Sequence, residues 1–73
     1  MKTIEIHTDE IRLDQFLKWA SLVSSGGEAK MLIVDGMVRL NGDIVTSRGK
    51  KVRPGDVLDI EGLEETLKVE RAV

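Results

Sequence analysis

Apolar residues recur along this chain with two different periods, and the changes between them mark its elements. In the stretch Lys2 to His7, Ile4 and Ile6 alternate with polar neighbours, the period-two pattern of a half-buried strand. From Leu13 the spacing lengthens. Leu13, Phe16, Leu17 and Ala20 fall at i, i+3, i+4 and i+7, one face of an amphipathic helix. Asp14 lies in its first turn, where a carboxylate suits the positive end of the helix dipole. The run Ser24-Ser25-Gly26-Gly27 is expected to end this helix and begin a second. Ser25 takes the N-cap position there and Glu28 the third helical position, the spacing of a capping box. Ala29, Leu32 and Ile33 supply the buried stripe, and Gly36 suits the left-handed position that closes the helix. Two short helices joined by a tight serine-glycine turn are laid out like a helix-turn-helix.

Beyond Gly36 the period returns to two. Val38 and Leu40 point one way and Arg39 the other. Asn41-Gly42 is a strong hairpin signal, because both central residues of a type I′ turn need positive φ. Ile44-Val45 is the expected return strand. Residues 46–51 read as a polar, basic loop, and Pro54-Gly55 as a turn. Val57 to Ile60 and Leu67 to Val69 read as further strands, the last a candidate to pair with the N-terminal one. The fold class is α+β: two short helices against a small, mostly antiparallel sheet.

Composition narrows the picture. Seventy-three residues make a single domain with a small core. There is no cysteine, which excludes a disulfide framework and a thiolate metal site. No apolar run approaches the roughly 20 residues that span a bilayer. The segment Met1 to Glu10 is polar and mixed in charge, unlike a signal peptide. A cytoplasmic setting is expected, with no membrane partner.

Charge is unevenly distributed. Residues 39–53 hold Arg39, Arg48, Lys50, Lys51 and Arg53 against the single acid Asp43, a net +4, while the remainder carries −6. An acidic chain that concentrates positive charge on one hairpin and loop is suited to an anionic partner. The plainer account is a solvated surface, which charge runs usually are.

The order of fragments is more specific than any one of them. Arg12-Leu13-Asp14-Gln15-Phe16-Leu17, then Ser25, Ala29 and Ile33, then Gly36-Met37-Val38-Arg39-Leu40-Asn41-Gly42, then Val52 and Gly55-Asp56-Val57 resemble the RNA-binding domain named after small-subunit ribosomal protein four, the S-four domain or α-L motif. The likeness covers about residues 11–61. It implies that the two helices and the following hairpin bind structured RNA, often ribosomal RNA. The run Ser-Gly-Gly-Glu-Ala-Lys resembles most the stand-alone, ribosome-associated bacterial subgroup. In one respect the chain departs from the pattern: many relatives carry arginine after the serine of the second helix, and here the residue is Gly26. Lys30, one turn on, is the substitute cation.

The candidate RNA-contacting residues are Arg12, Lys18, Ser25, Lys30, Arg39, Arg48, Lys50, Lys51 and Arg53. Arg12 also suits a surface pair with Asp9 or Glu10. Lys18 lies opposite the buried face of its helix. Ser25 has a structural task as N-cap. Trp19 is expected to cap the core beside Phe16 rather than stack on a base. His7 has no histidine or cysteine nearby to share a metal. No nucleophile is paired with a positioned base, and Gly26-Gly27 lacks the glycine-lysine that completes a phosphate loop. The expectation is therefore a non-enzymatic RNA-binding protein, needing no cofactor or small-molecule substrate, whose partners are structured ribosomal RNA and ribosomal particles. A protein–protein adaptor that kept the fold without the RNA site is the alternative, favoured by Gly26 and the acidic balance. A ubiquitin-like carrier is disfavoured, because the chain ends Arg71-Ala72-Val73 without a Gly-Gly tail.

Overall fold

Two alternating-pattern segments at opposite ends of the chain lie side by side. In the computed structural model, which describes residues 1–72, β1 (Lys2–Ile6) pairs in parallel with β7 (Leu67–Arg71), placing Ile4 beside Val69. The other strands are β2 (Ile11–Arg12), β3 (Val38–Leu40), β4 (Asp43–Ile44), β5 (Lys51–Val52) and β6 (Val57–Ile60). The helices are α1 (Leu13–Trp19) and α2 (Gly26–Val34). Five strands form one sheet in the order β1-β7-β6-β3-β4, antiparallel except for β1 with β7. β2 and β5 form a separate antiparallel ribbon. The expected α+β architecture is the one observed, with both helices packed on one face of the sheet.

The core is where the two periods meet. Phe16 and Leu17 from α1, Ala29 and Ile33 from α2, and Val38, Leu58 and Val69 from the sheet are all fully buried in one cluster. Truncating Phe16 to alanine would cost about 3–5 kcal/mol. That is a large share of the roughly 4–11 kcal/mol expected for a domain of this length. Leu32 and Ala20, expected inside, are only partly buried at the margin of the cluster.

The helix ends follow the expected chemistry with two differences. Ser25 caps α2 as read, its Oγ accepting from the Glu28 N–H at 3.2 Å. The reciprocal half of the capping box is absent: the Glu28 carboxylate accepts from the Ser24 hydroxyl instead, at 3.1 Å. The first helix stops at Trp19, earlier than Ser24. Ser21 adopts a left-handed φ of 60°, and its N–H bonds back to the Lys18 carbonyl at 3.0 Å, which turns the chain before the serine-glycine run begins. Gly36 closes α2 at φ 74° as expected.

The Asn41-Gly42 hairpin has the positive φ values of a type I′ turn, 53° and 90°. Its return strand is Asp43–Ile44, one residue earlier than the pattern suggested, because the two-residue turn places Asp43 opposite Leu40. Trp19 does not cap the core. It is 52% exposed and leans on β1, its Nε1–H donating to the Glu5 carbonyl at 2.7 Å and its ring meeting His7 edge-on at 5.7 Å.

Candidate nucleic-acid interface

The basic loop, expected over 46–51, ends at Lys50 because Lys51 joins β5, and it owes its position to the start of α1. A helix leaves its first N–H groups without intrahelical partners. The N-cap residue of α1 is Arg12, whose side chain caps nothing, so those groups look elsewhere. The Leu13 N–H donates to the Lys50 carbonyl at 2.8 Å and the Asp14 N–H to the Arg48 carbonyl at 3.3 Å. The Gln15 N–H donates to the Asp14 carboxylate at 2.9 Å. The loop is thereby fastened through its backbone, and the side chains of Arg48 and Lys50 stay exposed. Neither forms an ion pair among the described residues.

Next to this loop, Ile11 and Val52 pair across the β2–β5 ribbon and turn inward. Arg12 then lies opposite Lys51, two like charges in register. Such pairs are destabilising unless relieved. Two carboxylates relieve this one. Asp14, only 7% exposed, accepts from the Arg12 guanidinium at 3.0 Å. Glu10 lies 3.6 Å from the Lys51 ammonium and 3.5 Å from the Arg53 guanidinium. The pair suggested between Arg12 and Asp9 or Glu10 is thus replaced by one with Asp14.

The basic segment that reads as one patch in sequence is divided in space. Val38 and Leu40 point into the core, so Arg39 between them stands on the sheet face away from the helices, in register with Asp59 and Ile44. Arg48 and Lys50 sit at the start of α1, and Lys51 and Arg53 on the adjoining ribbon. Lys50 also borders a shallow cleft of about 420 Å³ shared with Asn41, Asp43 and Ile44 of the hairpin. Lys18 and Lys30 are exposed on the two packed helices and form no ion pair among the described residues. Ser25 is exposed at the start of α2.

A second turn is bound to the hairpin. The Asn41 amide donates to Asp56 at 3.1 Å and its carbonyl accepts from the Val57 N–H at 2.9 Å. Asp56 in turn accepts from the Arg53 N–H at 2.8 Å, closing the Pro54-Gly55 turn. The Asn41-Gly42 and Gly55-Asp56 fragments are therefore two halves of one structural clasp. Among the described residues, no group of three or more histidine, cysteine or acidic side chains is placed to hold a metal ion. No helix of the structure is long and apolar enough to cross a membrane.

Comparison with known proteins agrees with the motif order. The S4 domain family matches residues 4–70, and the chain belongs to that family. It is 44% identical over 59 residues to the probable ribosome maturation protein RlbA of Bacillus subtilis, covering 81% of this chain and 83% of that protein. It is 41% identical over 54 residues to an uncharacterized RNA pseudouridine synthase of Aquifex aeolicus, covering 73% of this chain but 21% of that enzyme. Among solved structures, Heat Shock Protein 15 of Vibrio cholerae superposes with a TM-score of 0.74 at 24% identity, over 88% of this chain and 66% of that one. That last likeness speaks to the fold alone.

Proposed function

We propose that this chain is a non-enzymatic module that binds structured RNA of the ribosome or its precursors in the cytoplasm. The surface in question runs from the 48–53 loop and ribbon across the exposed sides of α1 and α2. The observation that carries the reading is the backbone anchoring of Arg48 and Lys50, whose side chains stay exposed and form no ion pair among the described residues. Cations held on a rigid loop lose little entropy on meeting phosphates, and arginine suits the bidentate contact. A relative named for ribosome maturation and another named as an RNA pseudouridine synthase support the same partner class. Four neutralised phosphates on a single strand would give a slope of log K against log salt near about −3. That base is modest, so recognition of a folded RNA by shape supplies the remainder.

Sedimentation of the tagged full chain in a bacterial lysate, with and without ribonuclease and at two salt concentrations, tests this. Co-migration with a ribosomal particle is expected, lost at higher salt, after nuclease, and in the Arg48→Glu/Lys50→Glu variant. Migration of the folded wild type as a free small protein under every condition would refute it. The adaptor reading has its own support in Met31 and Val34, exposed on one side of α2. It predicts association that ignores salt and nuclease alike.

A further inference from the structure

Glu10 lies between two cations of the ribbon and its following turn. Its two carboxylate oxygens divide between two cations of the candidate surface, Oε2 toward Lys51 Nζ and Oε1 toward Arg53 Nη2. A phosphodiester also presents two anionic oxygens to such a pair. The contacts are 3.5–3.6 Å long and the three side chains are between 42% and 64% exposed. Pairs this exposed contribute little to stability, so opening them is easy. The carboxyl group accepts no hydrogen bond among the described residues; the bond to Glu10 from Thr8 goes to the backbone carbonyl. Asp14 differs, being nearly buried, tied to Arg12 and spent partly on the start of α1.

Resting on the RNA-binding reading, we infer that Glu10 is an internal competitor for the RNA backbone. Its carboxylate occupies the Lys51–Arg53 fork in the free protein and must be displaced by a phosphate when RNA engages the ribbon. Glu10 therefore weakens binding to polyanions at this fork and leaves the loop cations Arg48 and Lys50 as the sites open to first contact. The same carboxylate lessens repulsion within the ribbon, where Arg12, Lys51 and Arg53 crowd one face.

The competitor is tested by a mutant cycle, read by filter binding to bulk bacterial ribosomal RNA and by the salt needed to elute each protein from heparin. Glu10→Gln removes the charge and keeps the shape. It should tighten RNA binding by roughly three- to tenfold at low salt, the size of one or two surface pairs plus the relief of a carboxylate facing a phosphate. The gain should shrink as salt rises. Glu65→Gln changes net charge equally at an exposed residue with no ion pair among the described residues, and should shift affinity by less than about twofold. In a Lys51→Ala/Arg53→Ala background the Glu10→Gln gain should vanish. Thermal melting of each variant confirms that the folded state is being compared.

A gain from Glu10→Gln no larger than from Glu65→Gln, or one that persists without Lys51 and Arg53, overturns the inference. If Arg48→Glu/Lys50→Glu abolishes RNA binding in that case, the RNA-binding reading still stands. If no form binds ribosomal RNA, yet the Glu10→Gln gain on heparin depends on Lys51 and Arg53, the RNA-binding reading fails and the competitor stands as a general property of the fork.

Discussion

The side-chain amide of Asn41 donates to the carboxylate of Asp56 at 3.1 Å, joining the tip of the β3–β4 hairpin to the Pro54-Gly55 turn. Fifteen positions separate the two, and the Asn41 side-chain Oδ1 accepts from the Val57 N–H beside them. This clasp holds the hairpin against β6. Asn41 also tolerates the left-handed backbone that the turn demands.

Replacing either partner should therefore loosen the hairpin. Asn41→Ala loses the hydrogen bonds and strains a residue at φ 53°, so a loss of about 2–3 kcal/mol is expected. Asn41→Gly relieves the strain and should lose only about 1 kcal/mol. Asp56→Ala removes bonds on both sides of its turn and should resemble Asn41→Ala. Urea unfolding of the single and double variants measures this. A double-mutant cycle should be clearly non-additive, because both residues belong to one network.

Substitutions at Ser25 and Gly26 distinguish a structural task at the start of α2 from a proposed binding one. Ser25→Ala deletes the observed cap and should cost about 0.5–2 kcal/mol, while Ser25→Asp should retain most stability. At Gly26 a Cβ would meet nothing within 4 Å. Gly26→Arg should therefore fold without loss of thermal stability. If α2 faces RNA, it should tighten binding and steepen the salt slope by roughly 0.7–0.9, one phosphate contact. Filter binding across a salt series reads this.

The division of the basic segment gives a contrast between arginines. Arg48→Glu should weaken RNA binding by about tenfold or more, since it reverses an anchored cation with no ion pair among the described residues. Arg39→Glu makes the same charge change on the sheet face away from the helices and should cost less than about threefold. Equal losses in the two variants would mean that total charge, not the loop surface, governs binding.

Trp19 links the end of α1 to β1. Trp19→Phe keeps an aromatic ring but leaves the Glu5 carbonyl without its indole donor. A loss of about 1 kcal/mol is expected by urea unfolding. A loss near that of a fully buried aromatic, about 3–5 kcal/mol, would contradict the half-exposed position.

Much of the architecture was legible along the chain, and the reasons are local. The 3.6-residue spacing of Leu13, Phe16 and Leu17 places them on one helix face whatever surrounds the helix, and all three are buried. Ser25 and Asn41-Gly42 act through backbone geometry within three residues of themselves, so cap and turn appear where expected. The misplaced end of α1 shows the limit of such signals. Ser21 is an unusual residue for a left-handed position, and nothing in its neighbours announces it.

By itself the sequence determined helix faces, both ends of α2, the hairpin turn and the family, since each depends on residues adjacent in the chain or on their order. Only the tertiary structure decided that β1 runs parallel to β7, that Ile11 meets Val52, and that Arg39 faces away from the helices while Arg48 and Lys50 are held at the start of α1. It alone placed Glu10 between Lys51 and Arg53. The physical reason is that a period of two says which residues share a strand face but not which distant strand lies beside it. That choice rests on the summed burial of the whole core, and the charges on the surface go where the core sends them.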